Sequence, residues 1–218
     1  MKTTVHLCFL FLASLLLATS SGAQSSGVAP VDYSQYGRPP VSVKVLLLLP
    51  EEFQRFEYTA TYEGDAIRHP LGQEGARELR AAFEIEFASV DVWSVRSEAE
   101  AMAMLTPGDP DNMEVRTYDY VVIPKFMRVD SSVEHQKYGF DIDLLTEFYA
   151  GDGATVTKIK GHGESSTGKW FASTPEEGAR IALQYAVSAI LDGVEGNRSL
   201  FVSYEVDSSR TGRNALKN

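Results

Sequence analysis

Between residues 41 and 200 the chain alternates two kinds of hydrophobic pattern, and each predicts an element. Val41 to Leu49 (VSVKVLLLL) is a β-branched and aliphatic run stopped by Pro50. It is too short for an ordinary helix and apolar on both faces toward its end, which predicts a buried central strand. Phe56 to Tyr62 alternates aromatic and Thr positions, as a more exposed strand does. From Gln73 to Phe87 the apolar residues Ala76, Leu79, Ala82, Phe83 and Phe87 recur at three- and four-residue spacing, which predicts one face of a helix. Val90 to Val95 alternates again. Ser97 and Glu100 have the spacing of a capping box and open a short helix with Ala99, Met102 and Leu105, stopped by Pro107. Pro107 to Asn112 (PGDPDN) is turn chemistry.

The second half is richer in strands. Tyr118 to Val129 is built around the apolar core Tyr120-Val121-Val122-Ile123, a strand covered on both faces. Phe140, Ile142, Leu144 and Phe148 alternate with Asp141, Asp143 and Glu147, so one face is buried and the other acidic and wet. Gly151-Asp152-Gly153 supplies a tight reversal, and Ala154 to Lys160 is the returning strand of a hairpin. Thr174 is an N-cap, Pro175 suits the first helical position and Glu177 completes a capping box. Ala179, Leu183, Ala186, Val187, Ile190 and Val194 then form a stripe that ends near Gly193 or Gly196. Leu200 to Val206 reads as a short strand. This order predicts an α/β (α+β) fold: a single two-layer domain over residues 41–206, a mixed β-sheet with an antiparallel hairpin and about three helices packed on it. Residues 24–40, rich in Ser, Gly and Pro, read as a flexible leader, and 207–218 as a polar tail.

The first 23 residues change the setting. Lys2, the apolar run Val5 to Ala18 and the small residues Ser21 and Ala23 read as a signal peptide cleaved before Gln24. The run of about 14 residues falls short of the ~20 that span a bilayer. The only cysteine, Cys8, leaves with it, so the exported chain is expected to have no disulfide, thiolate metal site or cysteine nucleophile. The formal net charge is −10. That balance argues against nucleic acid as a partner, and no later apolar run is long enough to cross a membrane.

Candidate chemistry is sparse. Gly163 to Lys169 has the G-x-x-x-x-G-K spacing of a phosphate-binding loop, but Trp170 stands where a Ser or Thr would hold magnesium. A flexible loop between hairpin and helix is the expectation there. His69, His135 and His162 lack ligand spacing and read as isolated surface histidines. Asp141 and Asp143 can in principle share a cation with Glu147, though a solvated sheet face is the commoner use of that pattern. Asn197-Arg198-Ser199 is an acceptor tripeptide for glycosylation. No catalytic, cofactor or metal residue is assigned. The partner-binding candidates are Trp170 and Phe171, two aromatics in a polar loop, which read either as a cap on the core edge or as an anchor for another protein.

A resemblance rests on VKVLLLLP at 43–50, the helix around 75–87 leading into Val90-Asp91-Val92, DYVVIP at 119–124, the Asp152-Gly153 turn and the Ala-rich last helix. In pattern and order, residues ~41–195 resemble small periplasmic domains of bacterial envelope accessory proteins: the amino-terminal domain of TolB, CsgG, LpoB and the YajG-type lipoproteins. The resemblance implies a non-enzymatic periplasmic or secreted accessory protein that binds a cell-envelope partner. Several such relatives carry a lipid on a cysteine at the cleavage site, where this chain has Gln24, which favours a soluble state. A secreted hydrolase using carboxylates and a small-ligand carrier are the competing readings. Partner identity and oligomeric state are not set by the sequence.

Overall fold

Pro50 ends one strand and starts the next element, because its fixed φ suits an extended residue just ahead of a helical turn. In the computed structural model, which describes residues 39–106, 113–134, 137–168 and 174–201, β1 (Val41–Pro50) runs into the short helix α1 (Glu51–Gln54). The hairpin β2 (Tyr58–Tyr62) and β3 (Asp65–His69) follows, then α2 (Leu71–Glu86), β4 (Phe87–Val95) and α3 (Glu98–Met104). A 3-10 turn at Val115–Thr117 leads into three long strands, β5 (Tyr120–Glu134), β6 (Lys137–Ala150) and β7 (Thr155–Gly168), and α4 (Pro175–Gly196) closes the described chain with a 3-10 turn at Arg198–Leu200.

The main sheet has the order β4-β1-β5-β6-β7, parallel across β4, β1 and β5 and antiparallel across β5, β6 and β7. Its mixed character follows from the connections. Crossovers through α2 and α3 return the chain parallel to β1, while tight reversals return it antiparallel. β1 is buried on both faces, as its unbroken apolar run predicts. Val45, Leu47 and Leu49 join the large core under α2 and α4, and Leu46 and Leu48 join a smaller core closed by Ala101 and Leu105. Two long helices therefore cover one face, and short α3 covers only the parallel end of the other.

Several boundaries differ from expectation. The second strand is half of a hairpin: Glu63 and Gly64, both with positive φ, form its two-residue turn, and Asp65–His69 pairs back. The pattern of DAIRH is too polar to announce a strand; cross-strand bonds to β2 make it one. The stretch expected as a loop at 163–169 is strand as far as Gly168, so the G-x-x-x-x-G spacing lies on extended backbone with no cradle of amides. Ser97 caps α3 as expected, its hydroxyl accepting from the Glu100 amide, but Ala101 and Leu105 face inward while Met102 is exposed. Leu200 belongs to a 3-10 turn, and residues 202–206 lie outside the described residues. So do the signal peptide, most of the leader, the polar tail, Pro107–Asn112, His135 and Lys169.

α4 sits unusually close to β7. A Cβ on Gly163 would lie 2.5 Å from the Ala186 amide nitrogen and nearer still to the Ala182 carbonyl oxygen. On Gly161 it would lie 2.7 Å from an Ile190 methylene and nearer still to the Ala186 carbonyl oxygen. The glycines on the strand and the alanines on the helix let the two backbones meet. At the other end of the hairpin, Gly153 has a φ of +87° in the β6–β7 turn, a conformation that side-chain-bearing residues rarely adopt.

Candidate functional site

Where α3 stops, the outer face of β5, β6 and β7 is open, and period-2 geometry gathers its charges into rows. The acids of β6 form the middle row. Arg128 of β5 donates to the Asp141 carboxylate at 2.7 Å and lies 3.3 Å from that of Asp143. From β7, Lys160 reaches Asp143 at 3.0 Å, and His162 Nδ1 lies 3.0 Å from Asp143 and 3.5 Å from Asp141. Asp143 is 6% exposed. Burial alone would raise its carboxyl, but the Lys160 ammonium and the His162 ring outweigh that and hold it below the usual carboxylate range. Glu147 behaves alike: burial pushes it up, and Lys158 and the Tyr149 hydroxyl, which donates at 2.6 Å, bring it below its ordinary value.

Asp141, Asp143 and His162 offer ligand atoms within 4.8 Å of one another, the one such group among the described residues. Glu147, the third carboxylate considered from the sequence, is paired with Lys158 instead. Arg128 and Lys160 already supply the positive charge that a cation would bring, so the arrangement is a self-neutralising mosaic. The depressed Asp143 carboxyl stabilises the fold at pH values above the ordinary Asp range, and that contribution is lost as pH falls through its folded value. We expect Asp143→Asn to cost on the order of 1 kcal/mol at pH 7, because the partners are half exposed. The gap in Tm between the two proteins should narrow as pH falls below the ordinary Asp range through the depressed folded value of Asp143, and a gap that widens on acidification would contradict the network.

A different chemistry occupies the carboxyl ends of β1 and β4, where the connections leave the parallel part of the sheet in opposite directions; crevices at such points are a general binding place in open α/β sheets. A cavity of about 200 Å³ lies here, lined by Pro50, Phe53, Phe56, Pro124, Lys125 and Phe126, with Glu52 and Glu98 at its rim. Phe53 and Phe56 both stack on Phe126, with ring centroids 4.9 and 4.6 Å away. Phe53 comes from α1, Phe56 from the turn after it, and Phe126 from β5 just before the irregularity between Phe126 and Arg128. Lys125 pairs with Glu98 at 3.0 Å, and the Glu52 carboxylate accepts from the Glu98 amide at the start of α3.

The histidines are not equivalent. His69 is 2% exposed, wedged edge-on against Phe140 at 4.9 Å, and its Nε2 has no hydrogen-bond partner among the described residues. It is a core histidine at the foot of the β2–β3 hairpin, where burial pushes its pKa down. The nearby Tyr62 hydroxyl is pushed up to about 12 by burial. His162 is on the surface but engaged with the acids. Glu74 on α2 has its carboxyl pushed up by burial, with Arg77 and Arg180 opposing. Trp170 and Phe171 lie outside the described residues. Sequence reasoning missed Phe53, Phe56 and Phe126; the signal available was the pair of Phe residues three apart in EEFQRF, directly after the strand-ending proline.

No family model matches the chain, and no curated protein does. Solved structures of similar chain path include a DUF330 protein from Xanthomonas campestris, 14% identical with a TM-score of 0.45, over 74% of this chain and 87% of that one. A hypothetical protein from Chlamydia trachomatis is 8% identical with a TM-score of 0.40, over 73% and 98%. The lipoprotein GNA1162 from Neisseria meningitidis is 10% identical with a TM-score of 0.36, over 70% and 99%. At these identities and overlaps nothing about activity is carried across. No helix among the described residues is long and apolar enough to cross a membrane.

Proposed function

We propose that this is an exported, non-enzymatic accessory protein of the cell envelope, and that it works by docking one protein partner at the phenylalanine-lined crevice. The observation that carries the reading is the crevice itself: half-buried Phe56 and Phe126, stacked on each other and backed by the core residue Phe53, at the carboxyl ends of the parallel strands. Its 200 Å³ is below the ~300–1,000 Å³ of sites built for small molecules, and suits one apolar side chain presented by a larger surface. The exposed carboxylate of Glu52 at the rim favours an anchor flanked by Lys or Arg. The charged sheet face supports the same reading against a carboxylate hydrolase, because Asp143 and Glu147 are held ionised by ion pairs and not raised toward an acid–base role. The resemblance to the TolB amino-terminal, CsgG, LpoB and YajG-type group and the stretch read as an export signal support work outside the cytoplasm.

The test is photo-cross-linking from position 125 in the native host, followed by titration of the purified partner. The expected result is one envelope protein whose binding weakens about tenfold or more in Phe56→Ala, with the far-UV spectrum unchanged. Equal binding by Phe56→Ala, or no partner from position 125, overturns the proposal.

A further inference from the structure

The geometry points to the outer edge of β7 as a seam on which a second copy of this chain pairs, antiparallel and in one register. β7 ends the sheet: over its 14 residues it bonds β6 on one side, and no other strand among the described residues pairs with it. A long free edge is a template for another strand. What selects the occupant is charge. On its open face β7 presents Lys158, Lys160, His162, Glu164 and Ser166 in sequence. Glu164 stands directly opposite Asp141 of β6, a like-charge pair, and has no cation of its own among the described residues, whereas Asp141 is neutralised by Arg128. Like charges facing each other across strands destabilise.

A second copy relieves this most fully in one register. With the twofold axis at His162, Lys160 of each copy faces Glu164 of the other, and Lys158 faces Ser166. Centring on Lys160 or on Glu164 would set like charges against themselves, and centring on Gly161 would also face Lys158 with Glu164 but would set Lys160 against His162. The opposite edge of the sheet lacks such a code: β4 (FASVDVWSV) carries Asp91 as its only charge. On the covered face, the close approach of α4 to Gly161 and Gly163 brings the helix to the rim of the sheet. The ~100° turn per residue puts Tyr185, 52% exposed, on the flank beside the Ala182 contact, where it would meet the partner's α4. The seam uses none of the crevice residues, so it stands or falls separately from the docking proposal.

The test uses the full chain carrying Cys8→Ser, with one cysteine added. His162→Cys should oxidise to a covalent dimer, since directly opposed Cβ atoms lie ~4.5–5.5 Å apart across strands. Ser166→Cys alone should not, whereas Ser166→Cys mixed with Lys158→Cys should. In sedimentation equilibrium the parent should be a dimer, and Glu164→Lys should weaken self-association about tenfold with the far-UV spectrum of the folded chain unchanged. A monomer at every concentration, or an oligomer indifferent to Glu164→Lys that fails to cross-link through position 162, overturns the inference.

Discussion

Replacing Gly163 by alanine should cost about 3 kcal/mol, the upper end of the usual penalty for overpacking, and lower Tm by on the order of 10 °C. The added methyl would collide with backbone atoms of α4, the Ala182 carbonyl and the Ala186 amide, which cannot rotate away as a side chain can. The helix must lift, and with it Leu183, Ala186, Val187 and Ile190, all wholly buried. Gly196→Ala is the internal control. A Cβ there meets nothing within 4 Å, so this substitution near the end of α4 should leave Tm unchanged or slightly raised. Equal melting temperatures for the two variants would show that α4 and β7 are not in backbone contact.

Leu183→Asp should abolish cooperative folding at 25 °C. Leu183 is 0% exposed, packed in the core near Gly75 of α2. Losing its burial removes roughly 1.5–3 kcal/mol, and an uncompensated carboxylate in that setting costs several more even after it takes up a proton. Together these approach the ~5–15 kcal/mol that holds an average domain folded. Leu183→Met keeps the volume and should cost less than about 1.5 kcal/mol. A near-native melt for Leu183→Asp by circular dichroism would remove α4 from the core.

Both predictions concern α4, yet only one was open to sequence reasoning. The Leu183 stripe is a matter of period: a helix capped by Thr174 and Pro175 turns the same face inward every three or four residues, so its buried side is legible without coordinates. Gly163 was misread as part of a flexible loop, because glycine and serine are common in loops and nothing in GHGESSTG names the helix that would press on it. The same limit governs the sites. Asp141 and Asp143 could be assigned to one wet face, but their partners Arg128 and Lys160 come from neighbouring strands whose register is a tertiary fact. His69 was expected at the surface, and the β2–β3 hairpin carried it into the aromatic core.

By itself, the sequence determined the mixed helix and strand content, the doubly buried β1, the caps of α3 and α4 and the acidic face of β6. All of these depend on interactions within a few residues or on the period of one element. Only the tertiary structure decided that His162 meets Asp143, that Phe53, Phe56 and Phe126 stack into a crevice, and that β7 runs long enough to leave a charged edge. Those features join residues from separate elements, and their distances depend on sheet order and register, which local pattern does not encode.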